Sequence, residues 1–323
     1  MLAVMAPSRG AGSWLVAAVI MAACAQAAEA PHGCGLEGTT ALPEPAPELA
    51  YSCSVEPSGR YHHDILVARP GEPARLLTHG EGANYQPRWS PDGRRIAFGS
   101  TRSGFEELYV MNADGTGVVQ LTHSRGFIDA VSWSPDGMQI AFSSSAAGLT
   151  GPLGVIHSPA DIYIARADGT EARRLTRDGG HNWGPVWSPD GSRIVFDSDL
   201  GGPYQVWVMA ADGSAQHPLT SEGQNGAPDW SPDGSQIIFH SERDYPGGYA
   251  AAIYVMNADG SSQRRLIDGD GARPRWSRDG LWIAFESGRG GGYGIYVMHP
   301  DGAALTRLTR DGALTFNPAW GSS

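Results

Sequence analysis

The chain carries ten histidines, 34 acidic residues and 23 basic ones, and every basic residue is arginine. Without lysine there is no Schiff-base amine and no phosphate-loop lysine. His79, His123 and His181 lie in loops of successive repeats, and three converging imidazoles would suit Zn or Mn. Only His79 and His123 occupy equivalent places, directly after Leu-Thr, where a solvated loop histidine is the simpler reading. His62 and His63 are adjacent, so a strand would point them to opposite faces. Neither His-Glu-x-x-His nor Gly-x-Ser-x-Gly occurs. The many Asp-Gly pairs lack the neighbouring carboxylates that a Ca²⁺ loop needs. No catalytic residue, metal ligand or cofactor is therefore expected, a divalent cation at the centre of the fold being the one case left open.

The net charge of −11 argues against non-specific nucleic-acid binding, which rests on clustered positive charge. Gly 44 and Pro 23 make the chain turn-rich, yet 41% hydrophobic residues are enough for a packed core. Many turns and few charges point to an all-β protein.

Residues 1–27 read as a secretory signal: Arg9, an apolar run over 14–23, then Ala25-Gln26-Ala27 as a cleavage site. The run is short for a membrane span. Met21-Ala22-Ala23-Cys24 also resembles a lipobox, so lipidation at Cys24 is the alternative. The expected compartment is periplasmic or secreted, with any membrane attachment through Cys24. Cys34 and Cys53 can then pair in an oxidising environment and tie a Pro-rich lead-in, 28–48, to the body. Such a loop contributes roughly 3 kcal/mol by chain entropy.

The elements that must position any site come from a repeat. Trp-Ser-x-Asp-Gly begins at Trp89, Trp133, Trp187, Trp230 and Trp276, and Trp320 is a sixth marker. Each unit reads as four short strands. Ser90-Pro91-Asp92-Gly93 is a tight turn, with Pro fixing φ and Gly accepting positive φ. Residues 95–98 form the second strand, 108–111 the third and 118–122 the fourth, with Asn112-Ala113-Asp114-Gly115 as the turn between the last two. Four strands about every 44 residues match a propeller blade, whereas a helical repeat fails on its Gly and Pro content. The fold expected over 49–323 is a six-bladed β-propeller with four antiparallel strands per blade. One blade is shared: 49–55, 63–68 and 74–78 lack a first strand, which 315–320 would supply.

The run from Leu219-Thr220 through Pro228-Asp229-Trp230-Ser231-Pro232-Asp233-Gly234, Ile237-Ile238-Phe239-His240-Ser241 and Ile253-Tyr254-Val255-Met256-Asn257-Ala258-Asp259-Gly260 resembles the β-propeller repeat of TolB-like proteins. The likeness covers roughly 49–320. It implies an envelope protein whose propeller meets a Pal-like lipoprotein. The α/β domain that precedes the propeller in TolB finds no counterpart in the short 28–48 segment, and the TolA-facing role is not expected to carry over. Similar blades occur in prolyl oligopeptidase-type enzymes, but no stretch is left here for their hydrolase domain.

Binding is expected on the face where loops vary, the fourth-to-first and second-to-third connections, rather than at the uniform turns. Residues five before each Trp and their neighbours should converge on the channel mouth: Asn84, Tyr85, Asp129, His181, Asn182, Trp183, Asn225, Arg273, Phe316 and Asn317. The competing reading makes the three Asn turn residues bonded to their own backbone. An insertion over 143–160 should overhang the same face. The function expected is a monomeric, non-catalytic module binding an envelope protein such as a Pal-like lipoprotein, or a peptide or sugar. The alternative is a propeller enzyme, a carbohydrate lyase, hydrolase or lactonase, with its site at the channel mouth.

Overall fold

A computed structural model describes residues 34–38, 42, 46–54, 63–145, 150–151, 154–155, 159–245, 250–290, 293–310 and 314–321. The signal segment, Cys24 and half of the 143–160 insertion lie outside them. Six four-stranded antiparallel sheets form the blades of a propeller. Blade 1 combines Thr315–Trp320 with Leu49–Ser54, His63–Ala68 and Arg75–Leu76. The inner strands of blades 2 to 6 are Asn84–Trp89, Phe127–Trp133, Asn182–Trp187, Asn225–Trp230 and Ala272–Trp276. Ring closure pairs Leu49 with Trp320 and Cys53 with Thr315. The Cys34–Cys53 disulfide forms and fastens residues before blade 1 to its second strand. Fourth strands are shorter than the repeat suggests, two residues in blade 2 (Val119–Gln120), because Thr takes over from the ladder beyond them. Thr78, Thr122, Thr176, Thr220 and Thr309 each accept a third-strand N–H on Oγ1 at 2.9–3.0 Å, which explains the repeated Leu-Thr.

Local chemistry sets the turns. In all five Ser-x-Asp-Gly units the Ser hydroxyl donates to the Asp carboxylate at 2.6 Å. Between blades, Phe98, Phe196, Phe239 and Phe285 are fully buried on the second strands, each contributing about 1.5–3 kcal/mol by burial. The ring is also stitched along its inner edge: Trp133, Trp230 and Trp320 donate their indole N–H to Arg88, Val186 and Arg275 carbonyls of the preceding blade.

Arg278 stands where the other units have proline. It donates to the carbonyls of Pro91 and Ser90, 2.6 and 2.8 Å away, and so bridges the seam at blade 1, the one blade without this hairpin.

Candidate functional site

Each inner strand carries a bulge three residues before its Trp. Gln86, Ala130, Gly184, Ala227, Arg273 and Asn317 all take φ between 45° and 61°, and the strand register shifts there in every blade. A left-handed φ at five non-glycine residues is uncommon, and bulges of this kind re-aim side chains. Here they turn backbone N–H groups toward side chains from neighbouring strands. Asp197 Oδ1 accepts from Ala227 N at 3.1 Å, Glu286 Oε1 from Asn317 N at 2.7 Å, and Asn317 Oδ1 from Gln86 N at 3.4 Å.

Asp197 and Glu286 sit one position after the second-strand aromatic. That position holds Ser52, Gly99, Ser143, Asp197, His240 and Glu286 in blades 1 to 6. Glu286 is fully buried and pairs with Arg273 at 2.9 Å. Gly99 leaves room for the Tyr85 ring, whose Cε2 would lie 2.5 Å from an added Cβ. Sequence reading passed over this set, although the signal is in the repeat: within Ile-x-Phe-x-Ser, the second x changes from Gly to Ser, Asp, His and Glu while its flanks stay constant.

Two adjoining cavities of about 420 and 360 Å³ open on the variable-loop side and share Gln86, Phe127 and Arg273. Trp183 and Asn225 line the first; Tyr85, Phe316 and Asn317 line the second. The walls are aromatic. Trp183 meets Phe127 edge-on at 5.5 Å and donates its Nε1–H to Tyr204 at 3.2 Å. Phe316 packs on His63 and Tyr293. His181 stands at the rim, its Nδ1 2.8 Å from Asp199 Oδ2. Asn84 and Asn182 are fully buried behind the mouth. Asn84 bonds His63 O, Asp64 and Gly82 O, and Asn182 bonds Asp178 and Gly180 O. The Asp129 side chain lies outside the described atoms. Among the described residues, no three His, Cys, Asp or Glu are grouped to hold a metal ion.

Burial, with the charges of Arg273 and Arg275 beside it, drops the His240 imidazole to about 4. It is neutral at physiological pH. The unfolded chain, with an ordinary histidine, therefore takes up a proton first as pH falls. Stability is complete above about pH 6.5 and declines down to pH 4, by at most about 3 kcal/mol. Urea unfolding of wild type and His240→Gln from pH 7.5 to 4.5 checks this: the variant should lose less stability over that window, and parallel losses would contradict it.

The TolB beta propeller domain family matches the chain over residues 70–151, 156–224 and 220–323. The Tol-Pal system protein TolB of Bordetella pertussis is 35% identical over 148 residues, which cover 45% of this chain and 33% of that protein. An uncharacterized protein of Agrobacterium fabrum is 30% identical over 135 residues, 39% of this chain and 46% of its own length. The matched stretches thus span under half of these curated relatives. The crystal structure of TolB from Acinetobacter baumannii superposes with a TM-score of 0.74 at 22% identity, covering 86% of this chain and 67% of that one, a likeness of fold. The chain belongs to the TolB β-propeller domain family.

Proposed function

We propose that this propeller is a non-catalytic protein-binding module of the bacterial envelope, working in a Tol–Pal-type assembly, and that it engages its partner through the variable-loop mouth. On this reading the chain is periplasmic and monomeric, and the partner is a Pal-like lipoprotein. The observation that carries it is the character of that mouth. Phe105, Phe127 and Leu314 are exposed on this side of the ring. Of these, Phe127 lines both cavities, where Arg273–Glu286 and the bulge N–H groups are already fixed by internal bonds. Apolar and aromatic anchors over a preorganised polar floor are the ingredients of a binding hot spot. Relatives named for the Tol-Pal system support the choice of partner class.

Affinity for the purified Pal-like lipoprotein of the same organism tests it. Trp183→Ala should weaken binding at least tenfold, about 1.4 kcal/mol or more. Asp190→Asn, on the turn face, should leave it unchanged. No binding by the wild type, or equal loss in both variants, would contradict the proposal.

A further inference from the structure

The seam between blades 2 and 3 holds a cavity of about 480 Å³, walled by Leu108 and Leu121 of blade 2 and by Phe142, Ser144, Tyr163 and Ala165 of blade 3. Ala165 makes the room. It pairs with Ile140, and the third-strand residue in that register is Met111, Met209, Met256 and Met298 in blades 2, 4, 5 and 6. Each methionine is at most 1% exposed and shares a core cluster with Leu77, Leu175, Leu219 or Ile267 of the preceding blade. Blade 3 sets an alanine against Leu121 instead and leaves the methionine's space open.

A second departure makes the same wall less polar. Two residues after the second-strand Ser stand Arg102, Arg243 and Arg289 in blades 2, 5 and 6. Their Nε–H donates to that Ser at 2.9–3.1 Å, and each guanidinium lies 4.6–5.8 Å over the Phe–Tyr pair of its blade. Blade 3 has Ala146 at that place in the sequence. Asn84 and Asn225, which accept from Arg102 and Arg243, correspond to Ile128. The guanidinium and its amide partner are thus lost together beside the stacked Phe142 and Tyr163 rings. Blade 1 shows what such a gap accepts. Its residue in the methionine register is also alanine, Ala68, opposite Leu49. There Leu36 and Leu42 of the lead-in are buried in one cluster with Leu66, Ala68 and Leu308.

We propose that the seam between blades 2 and 3 binds a neutral apolar molecule, its ring or branched-alkyl body laid on Phe142 and Tyr163 and against Ala165. The cavity is of the size that holds small ligands, about 300–1,000 Å³. Aromatic faces and leucines supply the contact area. Among the described residues the lining has no carboxylate, and its arginine, Arg166, pairs with Glu171 at 2.9 Å. A charge carried into the seam would lose its hydration without gaining a free counter-ion. Thr122, His123, Ser124 and Ser144 gather at the variable-loop end and suit one hydrogen-bonding group on the ligand. The cavity shares no lining residue with the partner-binding mouth and does not rest on that reading.

Fluorescence titration of the full chain with N-phenyl-1-naphthylamine, a neutral probe that brightens in apolar surroundings, tests this. The probe should bind one to one. The sulfonate 8-anilinonaphthalene-1-sulfonate, the same body with a charge, should bind about tenfold more weakly. Ala165→Met installs the side chain that four other blades hold there. It should weaken the neutral probe about tenfold or more and raise the thermal midpoint, because it fills the space the probe needs. Ala165→Val adds two methyl groups, should weaken the probe by less, and decides the point if methionine is not accommodated. The probe should raise the midpoint of the wild type and leave that of Ala165→Met unchanged. No binding by the wild type, equal binding of the sulfonate, or undiminished binding by the folded alanine variants would each overturn the proposal.

Discussion

Deletion of residues 315–323 is expected to leave no cooperatively folded protein. Thr315–Trp320 is the inner strand of blade 1, and it pairs along Leu49–Ser54. Without it, blade 1 keeps three strands, and Leu49–Ser54 becomes an open edge at the channel. Trp320 is 6% exposed, and its indole reaches Arg275 O of blade 6, so the seam between first and last blades goes with it. Loss of one buried Trp side chain alone costs about 3–5 kcal/mol. That is comparable to a small domain's whole margin, about 5–15 kcal/mol. Near-ultraviolet circular dichroism and a thermal melt decide the point. The truncated chain should show no cooperative transition and should aggregate; a melt within a few degrees of wild type would mean that the ring does not depend on this closure.

Glu286→Ala should remove about 3 kcal/mol of stability and disable the variable-loop mouth at once. The carboxylate is fully buried and holds two groups: Arg273 Nη1 at 2.9 Å and Asn317 N at 2.7 Å. Losing it leaves a buried N–H without an acceptor, and a guanidinium without its ion pair. The cost stays below the upper range for buried pairs because the Arg273 side chain is 47% exposed and can turn to water. Glu286→Gln keeps an acceptor for Asn317 N–H and should lose less. Urea denaturation of the two variants separates these contributions, and equal midpoints for Ala and wild type would refute the role given to this carboxylate.

The ring and its turns were legible in the sequence because they are encoded locally. Ser90 bonds Asp92 two residues away, and Gly93 follows where its φ of 68° requires it. The site was less legible because it depends on bulges and on pairing between strands. Counting five back from each Trp reaches the start of the inner strand, but the bulge between them re-aims the chain. Asn84 therefore points sideways to Asp64 of the preceding blade, whereas Asn317, at the bulge itself, lines the cavity. Asp197, His240 and Glu286 arrive from second strands, and nothing local to the inner strand names them. Only the ring brings Arg273 and Phe127, three blades apart, to the same pair of cavities.

The variable-loop face, and not the turn face, meets the partner in the proposed assembly. A photo-crosslinking phenylalanine analogue placed at Phe316, and separately at Asp190, reports this in the full-length chain mixed with the Pal-like lipoprotein. Covalent capture from position 316 and none from position 190 is the predicted result. Capture from position 190 alone would contradict it.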